Sequence, residues 1–461
     1  MATNLTGSRV LILGAGVTGI AVAKSLSVKG ASVEFADDQV TEISGFQVFK
    51  PEQANVSDYE FIVVSPGWKE SHPLIAKAFS AGIRLVNEID LAWSFRSELV
   101  PGQRWIALTG TNGKTTTVEM AAAMLREAGI SAIACGNVGT TVIESVESSE
   151  KYEVLVLEIS SFQLHWMKEA SFVAAAILNI AQDHVDWHGS FAEYARVKGS
   201  ILDRSSTGIF NAGDPEVVNQ AAHWQGRKVF FSLDTPAPGE IGIVEELLVD
   251  RAFVSDPQEA AMLAELVDVK PTVPHNVSNA LAAAGLVRAL GVSPEAIRTA
   301  LQNFSPGRHR IEEVAVHNGV TWINDSKATN PHAAAASLLS SLSSIWVAGG
   351  LAKGAEMSEL IARCKSRIKA AILIGTDREL IANELREQAP EIEIVYIDAP
   401  DSYIKGGSDN SLMEAVVKAA AERASSGDTV LMAPACASMD QFISYSDRGD
   451  RFAAAVKKVT Q

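Results

Sequence analysis

A glycine-rich segment carries the residues with the clearest chemistry in this sequence. It lies between an apolar run at 105–108 and a helix-like run at 118–125, and it consists of Gly110, Thr111, Asn112, Gly113, Lys114, Thr115 and Thr116. A strand that ends in such a turn and then opens a helix leaves backbone N–H groups unpaired at the positive end of the helix dipole. These groups can bind phosphate, Lys114 adds a cation for the outer phosphates, and the Thr115 hydroxyl stands where such loops hold Mg²⁺. The sequence therefore predicts a phosphate-binding loop, shortened because the strict pattern places its first glycine at Leu108.

A second candidate is the carboxylate of Glu158, which directly follows four apolar residues. Burying it costs on the order of several kcal/mol unless a cation or hydrogen-bond donors compensate. The simplest compensation is Mg²⁺ shared with Thr115.

His184 is a third candidate because it follows an apolar run at 177–180, which we expect to be a core strand, and has Asp183 and Asp186 beside it. This setting suits a metal ligand or an oriented base. Lys198 lies fourteen residues further on, within a helical pattern at 191–202, and its spacing alone is typical of a surface lysine.

Asn276 and Asn279 lie one turn apart on another predicted helix. Their amides face the same direction, so they would either cap the helix or donate to a phosphate or an adenine.

The elements around these residues alternate between strand and helix. The first segment has predicted strands at 9–13, 32–36 and 61–64, and Gly14, Gly16 and Gly19 match the G-x-G-x-x-G fingerprint. Taken alone, this fingerprint predicts an NAD-dependent dehydrogenase, but it reports only that a backbone can approach a diphosphate.

The last segment continues the alternation, with strands predicted at 320–324, 344–350, 371–375, 392–397 and 429–434. We therefore predict an α/β protein of three domains: an N-terminal Rossmann-like domain at 1–98, a central P-loop-type domain with a mostly parallel sheet at 99–305, and a C-terminal Rossmann-like domain at 306–461.

Composition limits the possible partners. The formal net charge of −16 argues against nucleic acid and anionic membranes, and the longest apolar run, near 172–178, is too short to cross a bilayer. Cys135, Cys364 and Cys436 show no metal spacing and are expected to be reduced core residues. We expect a cytoplasmic monomer.

Taken together, these residues resemble the Mur ligase family. The resemblance rests on the 110–116 loop, 178–180 with Asp183 and His184, Lys198, 275–279, His309 with Arg310, the D-S-K-A-T-N run at 325–330 and the P-A-C-A-S-M-D-Q-F run at 434–442. The last two runs are similar to the member that adds D-glutamate.

The resemblance implies an ATP-dependent ligase that joins D-glutamate to UDP-N-acetylmuramoyl-L-alanine through an acyl phosphate, a cytoplasmic step of peptidoglycan synthesis. It implies that Lys114, Glu158, His184 and Lys198 are catalytic, and that Thr115, Glu158, His184 and a carbamylated Lys198 hold or orient Mg²⁺.

The resemblance also assigns binding residues. Arg310 and Asp325, with Asn276 and Asn279, would contact the nucleotide. The UDP-sugar would contact Val17, Thr18, Asp37, Asp38, Ser65, Gly67, Asn137, Ser160 and Gln163. The D-glutamate pocket would contain Lys327, Thr329, Lys353, Ser438 and Tyr445.

The sequence departs from the family pattern at three places. Leu351-Ala352 follows a glycine pair where relatives often have polar residues, Trp187 stands where many relatives have arginine, and Tyr445 stands where phenylalanine is common.

Three other interpretations remain. A different amide ligase of the family, such as folylpolyglutamate synthase, shares the central residues. A dehydrogenase leaves Lys114, Glu158 and His184 without a role, and an ATP-driven switch does not require Lys327 and Ser438 to converge.

Overall fold

Three sheets, each flanked by helices, are built from the alternating runs. The computed structural model describes residues 4–460. It separates into a larger unit, formed by the chain up to Ile180 with His184–Thr272 and Asn276–Phe304, and a smaller unit, formed by Ala181–Asp183, Val273–His275 and the chain from Ser305.

The first sheet contains five parallel strands in the order β3-β2-β1-β4-β5. Its elements are β1 (Arg9–Leu13), α1 (Val17–Val28), β2 (Ser32–Ala36), β3 (Gln47–Phe49), β4 (Phe61–Val64), α2 (Pro73–Ser80), β5 (Arg84–Val86) and α3 (Glu88–Leu99).

The second sheet has nine strands in the order β14-β13-β12-β11-β10-β9-β6-β8-β7. Its elements are β6 (Arg104–Thr109), α4 (Lys114–Glu127), β7 (Ala132–Gly136), α5 (Val142–Glu147), β8 (Val154–Glu158), α6 (Ser161–Trp166), β9 (Phe172–Ile177), α7 (Val185–His188), α8 (Phe191–Gly199), β10 (Ser205–Asn211), α9 (Pro215–His223), β11 (Arg227–Phe231), β12 (Glu240–Val244), β13 (Leu247–Asp250), β14 (Ala261–Glu265), α10 (Pro274–Arg288) and α11 (Pro294–Asn303). Only the pairings of β12 with β13 and of β13 with β14 are antiparallel among the described strands of this sheet.

The third sheet has six strands in the order β15-β16-β20-β17-β18-β19, and its β15–β16 pair is antiparallel. Its elements are β15 (Glu312–His317), β16 (Val320–Asn324), α12 (Pro331–Leu338), β17 (Ser344–Gly349), α13 (Ser358–Cys364), β18 (Ile368–Ile374), α14 (Arg378–Gln388), β19 (Glu393–Tyr396), α15 (Ser411–Ala421), β20 (Thr429–Met432) and α16 (Tyr445–Thr460).

Central strands of these sheets are buried along their length. Every residue of β8 and of β17 is buried, as expected for parallel strands covered by helices on both faces. The predicted α/β class with mostly parallel sheets is confirmed. The residue boundaries of the three domains stay a prediction.

One predicted strand is wrong. The run at 177–180 was expected to be a strand, but β9 ends at Ile177. The strand stops there because Asn179 turns its main chain and its side chain toward the glycine-rich loop, as its contacts with Thr111 and Asn112 show.

Asp90 of α3 attaches the first sheet to the second. Its carboxylate accepts hydrogen bonds from the backbone N–H groups of Lys168 (2.6 Å), Glu169 (2.9 Å) and Ala170 (2.9 Å), just before β9. Asn87 donates a further bond to the same carboxylate at 2.6 Å. A buried carboxylate with this many donors is well compensated, which explains why the first two sheets lie in one unit.

The three cysteines are buried and free, as the sequence predicts. Among residues 4–460, we find no helix that combines the length and the apolar character needed to span a bilayer.

Glu88 provides a test of how α3 contacts α5. This carboxyl is buried and accepts from the Ile143 N–H at 2.6 Å, and burial raises its pKa to about 7. A pKa raised in the folded state adds stability that is fully present below the unfolded value near 4.5 and is lost as the pH rises through about 7. We expect the free energy of unfolding to decrease by about 1–2 kcal/mol between pH 6 and pH 8.5, because Glu88 loses its proton over this range.

Glu88→Gln should remove that pH-dependent loss, as measured by urea unfolding at the two pH values. Glu98→Gln, at an exposed position of the same helix, serves as the control and should retain it. Equal pH dependence in the two variants would contradict the assignment.

Candidate active site

The glycine-rich loop is held in place by Asn179. The Asn179 carbonyl accepts from the Thr111 N–H at 2.9 Å, and its side-chain oxygen accepts from the Asn112 N–H at 2.8 Å. Its amide nitrogen donates back to the Asn112 carbonyl at 3.0 Å. Asn179 therefore fixes the loop through both its main chain and its side chain, a role that the surrounding apolar residues do not reveal because they predict a strand.

Helix α4 begins directly after the loop. Gly113 is its N-cap, with a φ of +83° that favours glycine, and Lys114 is its first residue. The N–H groups of the first helical turn therefore lie at the end of β6, as a phosphate site requires.

Two lysines converge on one carbonyl of this loop. The Gly110 oxygen accepts from Lys114 Nζ at 2.9 Å and from Lys198 Nζ at 2.7 Å. Lys114 Nζ also donates to the Thr111 carbonyl at 2.9 Å. Two ammonium groups held this close raise the local positive potential, which favours a polyanion at the loop.

Lys198 is buried, so its interpretation as a surface lysine is wrong. Its relative exposure is 2%, and its Nζ lies 4.8 Å from the centre of the Tyr194 ring. The Tyr194 hydroxyl in turn lies 2.9 Å from Thr111 Oγ1. The four-residue spacing of Tyr194 and Lys198 on one face of α8 is a sequence signal that could have placed both at the loop.

Glu158 ends β8, the strand beside β6, and it is 3% exposed. Asn137 Nδ2 donates to its Oε1 at 2.9 Å, while its buried Oε2 has no hydrogen-bond partner within the described part of the chain. An unsatisfied carboxylate oxygen is costly to bury. The arrangement fits a hard cation bound by oxygen ligands, and Mg²⁺ at Glu158 stays a prediction.

His184 lies at the start of α7 in a left-handed backbone conformation, with a φ of +53°. Its ring centre is 4.7 Å from that of Phe162, which also faces Trp187 at 4.9 Å. The neighbouring His188 contacts Ser161 Oγ at 2.9 Å, and burial, followed by the charges of nearby groups, lowers its pKa to about 4. His184 is therefore embedded in an aromatic cluster.

Within residues 4–460, no group of three or more His, Cys, Asp or Glu side chains is arranged to hold a metal. A site using Thr115 and Glu158 would supply few protein ligands, which is common for Mg²⁺ bound together with phosphates.

Asn279 and Asn276 have different surroundings. The Asn279 side-chain oxygen lies directly over Gly113, where a Cβ would clash with it. Asn276 Nδ2 instead donates to the Lys270 and Pro271 carbonyls, both at 3.0 Å. Asn279 is thus placed at the loop, and Asn276 holds the chain before α10.

The fingerprint turn of the first sheet leaves one side open. A Cβ on Gly19 would clash with the Gly14 carbonyl, whereas Gly16 has no atom within 4 Å of such a position. Val17 is 77% exposed beside it. Asp37 is engaged in holding this turn, since it accepts from the Ala15 N–H at 2.7 Å.

The remaining residues assigned to the nucleotide-linked substrate lie at strand ends of the same unit. Ser160 and Gln163 form a capping box at the start of α6. Gly67, Asn137 and Asp38 are exposed. Ser65, directly after β4, donates weakly to the Gly14 carbonyl at 3.4 Å.

In the smaller unit, a buried arginine joins three loops. Arg448 of α16 is completely buried and donates to the Ser326 carbonyl (3.0 Å), the Cys436 carbonyl (3.1 Å) and the Gly349 carbonyl (3.4 Å). Burial lowers its pKa to about 10, so it stays charged at neutral pH. Nothing in the sequence indicates this burial, because an arginine on an amphipathic helix is usually exposed.

These three loops carry the residues predicted to bind the amino acid. Lys327 and Thr329 follow Ser326, Lys353 follows the Gly349–Gly350 pair, and Ser438 follows Cys436. Leu351, one of the departures, exchanges two backbone hydrogen bonds of 2.9 Å with Ala437, so it joins two of the loops through its main chain.

Lys327 and Tyr445 are in contact. The Lys327 ammonium lies 4.1 Å from the centre of the Tyr445 ring. Burial alone would raise the pKa of the phenol, but the Lys327 charge helps bring it below its ordinary value. The Lys327 ammonium therefore makes the surroundings of the Tyr445 hydroxyl electropositive.

Asp325 begins the same loop. Its carboxyl is buried, accepts from the Ser337 hydroxyl and from the Ile311 N–H, and has its pKa raised to about 6 by burial. The charge of Arg310 opposes this rise. The thiol of Cys436 has its pKa raised to about 12, again by burial.

A glycine-rich turn follows β6, two lysines donate to one of its carbonyls, and the carboxylate on the adjacent strand has one oxygen without a hydrogen-bond partner among the described residues. These features place the second sheet in the class of P-loop-type domains, which typically bind nucleoside phosphates.

Comparison with known proteins narrows this class. Residues 108–287 match the Mur ligase middle domain, and residues 309–436 match the Mur ligase glutamate ligase domain. The chain is 45% identical to the UDP-N-acetylmuramoylalanine–D-glutamate ligase of Thermobifida fusca, over 98% of this chain and 99% of the relative. It is 44% identical to the ligase of the same name from Streptomyces coelicolor, over the whole of both chains.

The fold is similar to that of a pseudomurein peptide ligase type C from Methanothermus fervidus, with a TM-score of 0.60, 18% identity and coverage of 98% of this chain and 100% of that chain. The chain therefore belongs to the Mur ligase family, and the resemblance inferred from its motifs is confirmed.

The contact between Gly113 and Asn279 can be tested with a matched pair of variants. Gly113→Ala introduces both a strained φ and a clash with Asn279, whereas Gly102→Ala, at a φ of +82°, has no atom within 4 Å of the new Cβ. We expect Gly113→Ala to weaken binding of a nonhydrolysable ATP analogue by at least about tenfold, because the loop must shift. Gly102→Ala should lower only the stability, by about 1 kcal/mol.

Isothermal titration calorimetry measures the affinity, and thermal unfolding measures the stability. An unchanged affinity in Gly113→Ala would show that the loop does not bind the nucleotide.

Proposed function

We propose that this protein is an ATP-dependent ligase that joins D-glutamate to UDP-N-acetylmuramoyl-L-alanine in peptidoglycan synthesis. The observation that carries the proposal is the convergence of Lys114 and Lys198 on the Gly110 carbonyl in a chain of the Mur ligase family.

The reaction has two steps. The γ-phosphoryl group of ATP moves to a carboxylate oxygen of the L-alanyl group and ADP leaves. The amine of D-glutamate then attacks the acyl carbon, inorganic phosphate leaves, and the nitrogen loses a proton as the amide forms. Both steps bring anions together, so their transition states depend on fixed positive charge and backbone donors.

The larger unit supplies the phosphate-binding groups of this mechanism. Lys114 and the N–H groups of the 110–116 loop would neutralise the β- and γ-phosphates. Asn279 would contact the nucleotide from its position over Gly113, and Asn276 would support it. We assign Arg310 and Asp325 to the nucleotide as well, on the family resemblance.

Mg²⁺ fits the oxygen donors that this unit presents. Glu158 offers a buried, unsatisfied Oε2, and Thr115 and His184 would complete the protein ligands. The ion would supply charge neutralisation at the phosphates.

We also propose that Lys198 is carbamylated by CO₂ in the active enzyme. The neutral amine would attack CO₂ to form an N–C bond and release a proton, which turns the cation into a carboxylate-like group. Burial beside Lys114 supports this, because a cationic neighbour favours an anion over a second cation.

The two organic substrates would bind to different sets of residues. The uridine diphosphate would bind at the open Gly16 turn and contact Val17, Thr18, Asp37, Asp38, Ser65, Gly67 and Asn137. The far end of the sugar would contact Ser160 and Gln163. D-glutamate would bind beside the cations and hydroxyls that its two carboxylates need. These groups belong to Lys327, Thr329, Lys353, Ser438 and Tyr445. We infer a cytoplasmic monomer that uses no nucleic acid or membrane partner.

A substrate-pair assay tests the proposal. Purified protein should release phosphate from ATP only when UDP-N-acetylmuramoyl-L-alanine and D-glutamate are both present, because the acyl phosphate is discharged by the amine. Comparable turnover with L-lysine or diaminopimelate, or an NAD-dependent absorbance change, would reject it.

The carbamate role has its own test. Lys198→Ala should reduce kcat by roughly two to three orders of magnitude, with partial recovery in millimolar acetate or formate, because a small carboxylate can replace the lost anion. Lys168→Ala, at an exposed lysine of the same unit, is the control and should retain activity without responding to acetate. A Lys198→Ala variant that stays fully active would remove the carbamate from the mechanism.

A further inference from the structure

The loop that follows β4 is fastened to the segment that carries His184. Trp187 Nε1 donates to the Gly67 carbonyl at 3.3 Å, and Lys69 Nζ donates to the Asp186 carbonyl at 3.0 Å. These two hydrogen bonds run in opposite directions between the same two segments, so together they resist separation.

Two further contacts extend this attachment to α6. Trp166 Nε1 donates to the Trp68 carbonyl at 3.1 Å, and His165 Nε2 lies 3.4 Å from Glu70 Oε1. Consecutive residues of the β4 loop, 67 through 70, are thus each in contact with α6 or α7.

The indole ring of Trp187 connects this attachment to His184. Its centre is 4.9 Å from that of Phe162 and 4.9 Å from that of His165. The ring centre of Phe162 also lies 4.7 Å from that of His184. Trp187 and His184 therefore pack on one shared ring, so a displacement of the indole changes the support of the imidazole.

The segment depends on such support. Helix α7 has only four residues, too few to be stable by its own hydrogen bonds, and His184 before it has a left-handed backbone that costs on the order of 1 kcal/mol. Side-chain packing must hold it, and Trp187 is the residue of α7 that contacts both Phe162 and the β4 loop.

We propose that Trp187 is a positioning residue that couples binding of the nucleotide-linked acid, at the β4 loop, to the placement of His184. The inference rests on the proposed function, which assigns Ser65 and Gly67 to the acid. Tryptophan suits this role, since an indole can both donate a hydrogen bond and pack on an aromatic ring.

Three variants separate the two halves of this role. Trp187→Phe keeps an aromatic ring beside Phe162 but removes the donor to Gly67. Lys69→Met removes the reciprocal hydrogen bond at an exposed side chain and preserves its length. Trp187→Leu removes both the donor and the aromatic ring.

We expect Trp187→Phe and Lys69→Met to raise the KM for UDP-N-acetylmuramoyl-L-alanine about three- to tenfold, as the loss of one hydrogen bond predicts, with kcat and the KM for ATP within about twofold of wild type. Trp187→Leu should show the same rise in KM and an additional fall in kcat of about tenfold or more, because His184 loses its support. Trp224→Phe, at a half-buried tryptophan packed on Phe210 away from this segment, is the control and should change neither constant.

The outcomes are distinguishable from failure of the proposed function. If wild-type protein shows no turnover with the substrate pair, the function itself is wrong. If wild-type protein turns over while Trp187→Phe and Lys69→Met leave the KM for the nucleotide-linked acid unchanged, or raise the KM for ATP equally, the coupling is overturned. A purely structural role of Trp187 would lower kcat and thermal stability in Trp187→Leu without a rise in KM, and would equally overturn it.

Discussion

The carbonyl oxygen of Gly110 is the point on which the larger unit depends. It can accept from both Lys114 and Lys198 because Asn179, two residues after the end of β9, holds the glycine-rich loop, and because Gly113 takes a conformation that other residues adopt at a cost. Two cations at one backbone oxygen are stabilised by a neighbouring anion, either a bound phosphate or the carbamate proposed for Lys198 itself. The geometry of this loop therefore favours negative charge beside Lys114.

A cation bound to backbone carbonyls also organises the smaller unit, where the residue is Arg448. The chain is acidic overall, with a net charge of −16, so its anionic substrates must be attracted by local cations. Arg448 is buried with backbone carbonyls as its partners, and it fixes the loops that carry Lys327, Lys353 and Ser438. Its guanidinium both positions these groups and adds positive potential behind them.

Much of the fold and part of the candidate site could be predicted from the sequence. The runs at 32–36, 61–64 and 320–324 form strands with the predicted bounds, because buried parallel strands have continuous apolar stretches that end at glycine, proline or polar residues. The loop at 110–116 was identified from its residue types, and the buried setting of Glu158 from its position after an apolar run.

The remainder required tertiary structure. Asn179 looked like a strand residue because its flanking residues are apolar, and only the contact with the loop shows why the strand stops. Lys198 looked exposed because a lysine on an amphipathic helix usually is, and its burial depends on a glycine-rich loop that lies 88 residues earlier in the chain. Arg448 shows the same limitation, since its carbonyl partners come from three separate loops.

The burial of the thiols has a consequence for inhibitor chemistry. Cys436 lies two residues before Ser438, yet its high pKa keeps the thiol protonated and its side chain is inaccessible. Electrophilic warheads aimed at cysteine will find no partner among the three cysteines of this chain. Compounds that target this enzyme covalently would need to react with a residue other than cysteine.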